Sequence, residues 1–393
     1  MKNQDPSQEQ LKSVLNLYTH GKLQQALSES SQMLERFPNS VVLYNISGAS
    51  NAALKRFDAA IDSYKQALRI KPDYAEVHNN MGSALSDKGD LEQAIESYKQ
   101  ALRIKPDYAV AYNNMANAMK DKGDLEEAIE SYQQALRIKP DYAEVHNNMG
   151  NALSIKGDLA EAIESYKKAL RIKPNFAGAY NNMANAMKNK GDLAEAIESC
   201  KQALKIKPDY ADAYYNMANA MKDKGDLVEA IESYKQALKI KPNFAKAYYN
   251  MGNAHLDKGD LEGAIVCYKQ ALRFKPDYVV AYNNMGNVLS SKGDLEGALE
   301  CYNQAVKIKP DYAEGHCNLG AALQLLNQST LAQASYEKAI SLKKDFNEAI
   351  SGFGSLLLKK GKHSEGLDKL IQGEGSILFS IKRGFSVKTG GKE

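Results

Sequence analysis

The sequence predicts an all-α solenoid of about eleven stacked helix–turn–helix units. Three observations carry this. Nine of the ten prolines fall 34 residues apart, at Pro38, Pro72, Pro106, Pro140, Pro174, Pro208, Pro242, Pro276 and Pro310. A fixed period in this range marks a repeat array, not a set of compact domains. Within each period, apolar residues recur at helical spacing in two runs. A glycine separates the runs and a proline follows the second, the residues that close a helix and forbid its continuation.

Counting from Ser7, residues 1–6 are expected to be a flexible N-terminus. Residues 7–346 make ten units of 34, and 347–375 a degenerate eleventh unit acting as C-terminal cap. Residues 376–393 form a basic tail in which Ile377–Ile381 and Phe385–Lys388 alternate like a small β-hairpin around Lys382-Arg383-Gly384.

Ala75–Tyr108 serves as the reference unit, its positions numbered 1 to 34. In its first helix, His78, Met81, Gly82 and Leu85 form one apolar stripe; in the second, Leu91, Ala94, Ile95, Tyr98, Ala101 and Leu102 do. Gly89 is expected to close the first helix in a left-handed conformation. Asp90 is expected to cap the second, with Gln93 at capping-box spacing, repeated by Asp124 with Glu127, Asp158 with Glu161, Asp192 with Glu195, and Asp226 with Glu229. Asp107 is expected to cap the following first helix, and Asp141 with Glu144 and Asp311 with Glu314 have the same spacing. Position 8 is Gly or Ala, positions 20 and 27 are Ala from Ala60 to Ala339, and position 24 is Tyr from Tyr64 to Tyr336 except at Cys200. Small residues at fixed points let helices approach closely.

Composition excludes several classes. The formal net charge is +3, of which residues 341–393 hold +4, so the array itself is nearly neutral. That argues against a nucleic-acid or membrane-surface protein, where a basic patch is expected. No apolar run approaches the ~18 residues of a membrane span. The N-terminal segment MKNQDPSQEQLKSV lacks the apolar stretch of a signal peptide. Four cysteines make no disulfide framework, and a cytoplasmic location is expected.

Small residues at 8, Ala at 20, an aromatic at 24, Ala at 27 and Pro at 32, on a 34-residue period, resemble the tetratricopeptide repeat (TPR). The family's frequent Trp at position 4 is absent; Tyr112, Tyr180, Tyr214, Tyr248 and Tyr282 stand there, with His78, His146 and His316. The resemblance implies a right-handed superhelix whose first helices line a concave face. Helical spacing then turns positions 2, 5, 6, 9, 12 and 13 inward.

Those positions are rich in asparagine. Position 6 is Asn80, Asn114, Asn148, Asn182, Asn216, Asn250, Asn284 and Asn318; position 9 is Asn117, Asn151, Asn185, Asn219, Asn253 and Asn287. Position 5 adds Asn79, Asn113, Asn147, Asn181 and Asn283. Asn is a poor helix former, so propensity does not explain it. Two roles fit. A carboxamide both donates and accepts, so a row of them can pair with the backbone of an extended peptide. Alternatively the amides hydrogen-bond between helices. Tyr215 and Tyr249 replace Asn at position 5, and Lys188 and Lys222 occupy position 12. Aromatics and a cation in a groove are expected anchors for a partner.

The units are similar to the TPR arm of O-linked N-acetylglucosamine transferases, which implies a groove that holds protein substrates. The likeness is to the arm alone, so no transferase activity is expected. Catalytic and metal motifs are lacking. His78, His146, His316 and His255 read as core residues, and Cys267 and Cys301 share position 23 of successive units, too far apart for a disulfide at the ~8–10 Å spacing of packed helices. Gly352-Phe353-Gly354 starts like a dinucleotide loop but sits in a helical pattern. The expected function is a non-catalytic scaffold or adaptor without cofactor or metal. It would bind other proteins through extended peptide segments, and neither nucleic acid nor membrane. The alternative is the substrate-recruiting subunit of a separately encoded enzyme such as a protein glycosyltransferase. The oligomeric state is not legible.

Overall fold

The computed structural model describes residues 6–374 and the segments 377–380 and 384–387. Among these residues are 22 helices, from Gln8–Thr19 to His363–Glu374, and two short strands. They divide into two compact bodies, Met1–Ile206 and Lys207–Glu393. Each is a stack of helix pairs, in which a helix packs most on its own repeat's other helix and next on the first helix of the following repeat. The all-α solenoid of helix pairs is as the period predicts.

The reference repeat folds as helices Ala75–Lys88 and Leu91–Ile104. Gly89 between them has φ 98°, a left-handed conformation that costs glycine nothing. Lys55 and Asn327 hold the same slot in the second and tenth repeats, at φ 58°. After the second helix, Lys105 lies over the Tyr108 ring at 4.8 Å, and this lysine–aromatic pair recurs down the chain, as in Lys241 over Phe244 at 4.4 Å.

The core follows the small positions. Ala60, Ala94, Ala128, Ala162, Ala230 and Ala264 are wholly buried, as are Ala67, Ala101, Ala135 and their successors, and the position-24 tyrosines pack against them. The first helix is buried more widely than its stripe predicts: Ala75, Val77, Asn79 and Ala84 are buried, whereas His78 and Met81 are half-buried. A first helix has a second helix on one side and other first helices on its flanks, so more than one face leaves water.

The expected caps are the main correction. Asp90, Asp124, Asp158 and Asp226 precede their helices but make no side-chain cap hydrogen bond. Each pairs instead with the lysine two residues before it, at 3.2, 2.9, 3.0 and 2.6 Å; Asp192 pairs likewise with Lys190 at 2.7 Å. Asp260 and Asp294 do cap, accepting from the backbone N–H of Gly263 and Gly297 at 2.9 Å. A Cβ at either glycine would collide with the aspartate carboxylate. Where Gln93 or a glutamate stands three residues on, the aspartate pairs with lysine instead. Asp107, Asp141 and Asp311 cap nothing either; the aromatic residues Tyr108, Tyr142 and Tyr312 hold the N-cap positions. A capping box forms at the start, where Ser7 and Gln10 exchange hydrogen bonds.

The eleventh repeat consists of Asn347–Lys359 and His363–Glu374. Gly366, where Ala is the rule, lets this pair meet backbone to backbone: a Cβ there would lie 2.9 Å from the Gly354 carbonyl oxygen. Beyond it, Ile377–Ser380 pairs antiparallel with Gly384–Val387, Ile377 opposite Val387. The expected turn Lys382-Arg383 and the end of the tail lie outside the described residues, as do residues 1–5 of the expected flexible N-terminus.

Candidate functional site

The asparagine rows lie along the first helices. Position 5 does not face the open side as expected: Asn79, Asn113, Asn147, Asn181 and Asn283 are 5–8% exposed. Position 6 is half-buried throughout, from Asn80 to Asn318. A buried carboxamide needs partners, and the partner here is the next repeat.

In the body Met1–Ile206 the amides form one chain. Asn182 donates from Nδ2 to Oδ1 of Asn147 (3.1 Å), and Asn147 to Asn148 (3.4 Å). Asn148 donates to Asn113 (3.1 Å), Asn113 to Asn114 (3.2 Å), and Asn114 to Asn79 (3.1 Å). Asn79 donates to Asn80 (3.4 Å), and Asn80 to Asn45 (3.1 Å). The four bonds between repeats all run toward the N-terminus and the three within repeats run one residue forward, donor following acceptor throughout, so each bond polarises the next. The Asn–Asn steps between repeats join residues 35 apart, one repeat plus one position, because successive first helices stack side by side.

In the body Lys207–Glu393 the arrangement differs. Asn250 donates to the Tyr215 hydroxyl (2.9 Å) and to Asn219 (3.0 Å), and Asn284 to the Tyr249 hydroxyl (3.0 Å) and to Asn253 (3.3 Å). Asn318 donates to Asn283 (2.8 Å) and Asn287 (3.2 Å). The two tyrosines therefore take the acceptor place of position-5 asparagines. Their half-buried rings pack among aromatics, Tyr215 at 4.9 Å from Phe244 and Tyr249 at 5.0 Å from Tyr278.

Position 9 is tied to the second helix. The position-24 hydroxyl donates to Asn117, Asn151, Asn219, Asn253 and Asn287 from Tyr132, Tyr166, Tyr234, Tyr268 and Tyr302, at 2.6–2.8 Å. Burial raises the pKa of these phenols, that of Tyr302 to about 12, so they stay protonated donors. Cys200 removes the donor in the sixth repeat, where Asn185 is exposed. Cys200 itself is fully buried, and burial pushes its thiol up to about 12, out of reactive range.

The lysines are engaged as well. Lys222 pairs with Asp223 at 3.1 Å and Lys120 with Asp121 at 2.7 Å, and Lys188 also has a partner. The histidines read as core residues act as braces: Nε2–H of His78, His146 and His316 donates to the carbonyls of Pro72, Pro140 and Pro310 at 2.9–3.1 Å. His255 pairs with Asp260 at 2.7 Å. Cys267 and Cys301 are free and buried, and Gly352-Phe353-Gly354 lies inside a helix. Asn45, the end of the amide chain, escaped the sequence reading because its own repeat has Ile46 at position 6.

Comparison with solved structures gives similar chains. A crystal structure of MamA is 30% identical over 41% of this chain and 95% of that one, with a TM-score of 0.39. One of YrrB, described as a TPR protein with an unusual peptide-binding site, is 24% identical over 48% and 96%, at 0.40. Yeast Tom70 is 16% identical over 93% and 91%, at 0.44. Comparison with curated protein sequences gives no match. A model of the TPR repeat matches in eight overlapping stretches from 51–87 to 286–327, and a second tetratricopeptide repeat model matches 313–346. With repeats, turns and small-residue core all in place, the chain belongs to the tetratricopeptide repeat family.

Proposed function

We propose that the chain is a non-catalytic protein-interaction scaffold that holds extended peptide segments along the amide row of its first helices. The observation that supports this is the spare capacity of the position-6 amides in Met1–Ile206. A carboxamide has two N–H donors and two acceptor lone pairs. Asn114 and Asn148 each donate one bond and accept one, while remaining half-exposed. The amide chain fixes their orientation, so little side-chain freedom is lost on binding. Their remaining N–H and lone pair suit the carbonyl and N–H of a peptide backbone whatever its side chains. The resemblance to transferase arms is taken only as far as this mode of binding.

In Lys207–Glu393, Asn250, Asn284 and Asn318 each donate twice. Their donors are spent, so peptide holding is assigned mainly to the N-terminal body. The test is peptide-array binding with the wild type and two double variants, Asn114→Ala with Asn148→Ala, and Asn284→Ala with Asn318→Ala, matched for helicity by circular dichroism. The first pair is expected to lose peptide capture and the second to keep most of it. Full retention by both overturns the reading.

A further inference from the structure

We propose that an open hollow formed by the first three repeats receives a basic side chain, lysine or arginine, from a bound peptide. This rests on the peptide-holding reading and adds to it a position with side-chain selectivity. The hollow has a volume of about 300 Å³ and is lined by Tyr18, Ala49, Ala52, Tyr64, Asn80 and Asp87 among others.

Its origin is a break in the tyrosine–asparagine pattern. In five later repeats the position-24 hydroxyl donates to Asn at position 9. In the third repeat Tyr98 uses Ser83 at 3.2 Å, and in the tenth Tyr336 reaches Gln324 at 3.0 Å. In the second repeat position 9 is Ala49 and position 12 is Ala52, so the same reach finds no acceptor. Tyr64 is 2% exposed, and among the described residues its hydroxyl has no hydrogen-bond partner. Burial, with Tyr18 adding to it, raises its pKa, so it is a neutral phenol with a hydroxyl free to pair.

The rim supplies the charge. Asp121 and Asp223, at position 13 of their repeats, are each held by the preceding lysine. Asp87, at the same position, follows Ser86 and has no ion-pair partner among the described residues. The hollow thus offers a carboxylate, a phenol oxygen, an amide oxygen on Asn80 and two aromatic rings, with no cation in the lining. An acidic guest meets repulsion, and an apolar guest leaves the Tyr64 hydroxyl unsatisfied. An ammonium or guanidinium group pairs with Asp87, donates to the oxygens and lies against the rings.

The test uses the full chain and fluorescein-labelled pentapeptides with a central arginine, or citrulline, between Gly and Ala. Citrulline keeps the shape and removes the charge. The arginine peptide is expected to bind at least tenfold more tightly, and Asp87→Asn to erase that preference. Ala49→Asn gives Tyr64 the partner found in later repeats and fills the hollow; it is expected to abolish the preference with no loss of thermal stability. Equal binding of the two peptides, or a preference that survives both substitutions, overturns the proposal. N-acetylarginine amide, which has no chain to lie along the amide row, separates this from the reading above. It is expected to shift the backbone NMR signals of Ala52 and Asp87 in the wild type and equally in the Asn114→Ala, Asn148→Ala variant. No shift in either overturns the hollow; shifts in both without any peptide binding leave the hollow and sink the amide row.

Discussion

The two bodies solve one problem in two ways. Both must satisfy the position-6 amides of their first helices where these meet the preceding repeat. Met1–Ile206 does so with Asn–Asn bonds that continue through position 5, one donor and one acceptor per residue. Lys207–Glu393 does so at Asn250 and Asn284 with a tyrosine hydroxyl plus a second acceptor at position 9. The first solution is a series connection that retains unused donors. The second is a parallel one that uses them up and adds aromatic packing. Near-identical repeats can therefore differ in what they offer a ligand while sharing one fold.

The largest expected effect comes from cutting the series connection. Asn147→Leu removes the acceptor of Asn182 and the donor of Asn148, two losses at once, and is expected to destabilise by about 2 kcal/mol. The matching cut in the second body, Tyr249→Phe, removes one acceptor while Asn284 keeps Asn253, and about 0.5–1 kcal/mol is expected. Urea midpoints of the two variants make the comparison; equal costs would mean the two arrangements do not differ as described.

Transplanting one solution into the other is expected to cost less than the first cut. Asn147→Tyr places a hydroxyl before Asn182 and a ring near Phe176, as Tyr215 lies near Phe244. A change within about 1 kcal/mol is expected for a swap that keeps the acceptor and adds apolar contact. A cost above that of Asn147→Leu would show that the second body's arrangement depends on more than position 5.

A still smaller difference separates two asparagines that look alike in sequence. Asn151→Ala takes the acceptor from the Tyr166 hydroxyl and is expected to cost about 1 kcal/mol. Asn185→Ala, where Cys200 supplies no donor, is expected to stay within about 0.5 kcal/mol of wild type, as at ordinary surface sites.

The smallest effect is on pH dependence. Burial holds the His146 imidazole below its usual range, only partly offset by its bond to Pro140. A base depressed in the folded state binds fewer protons there than in the unfolded chain. Its contribution to stability is therefore present above the unfolded value of ~6.5 and is lost as pH falls through that region. His146→Tyr, the residue at this position in Tyr112 and Tyr180, is expected to flatten the melting temperature between pH 7 and 5.5. An unchanged slope would show that the ring is not the titrating group.

Much of this was legible in the sequence. The prolines at position 32 and glycines at position 15 placed most turns, because each acts through its own backbone: one lacks an N–H, the other tolerates positive φ. The alanines at 20 and 27 marked the core because no larger residue stands there from the second repeat to the tenth. The caps were misread because an aspartate before a helix has two partners within reach, a backbone N–H three residues on and a lysine two residues before, and Asp90 takes the lysine where Asp260 takes the N–H of Gly263. Position 5 was misplaced because helical spacing describes one helix, while its burial comes from the adjacent repeat.

By itself, then, the sequence determined the helices, their turns, their pairing and the family, all properties of contacts a few residues to one period apart. Only the tertiary structure decided which amides are spent and which are spare. That depends on which side chain 35 residues away lies within hydrogen-bond distance, and on whether a tyrosine such as Tyr64 finds Ala49 or an asparagine at the end of its reach. Hydrogen bonds have a narrow range of length and angle, so sequence residues of the same type are sorted by placement alone.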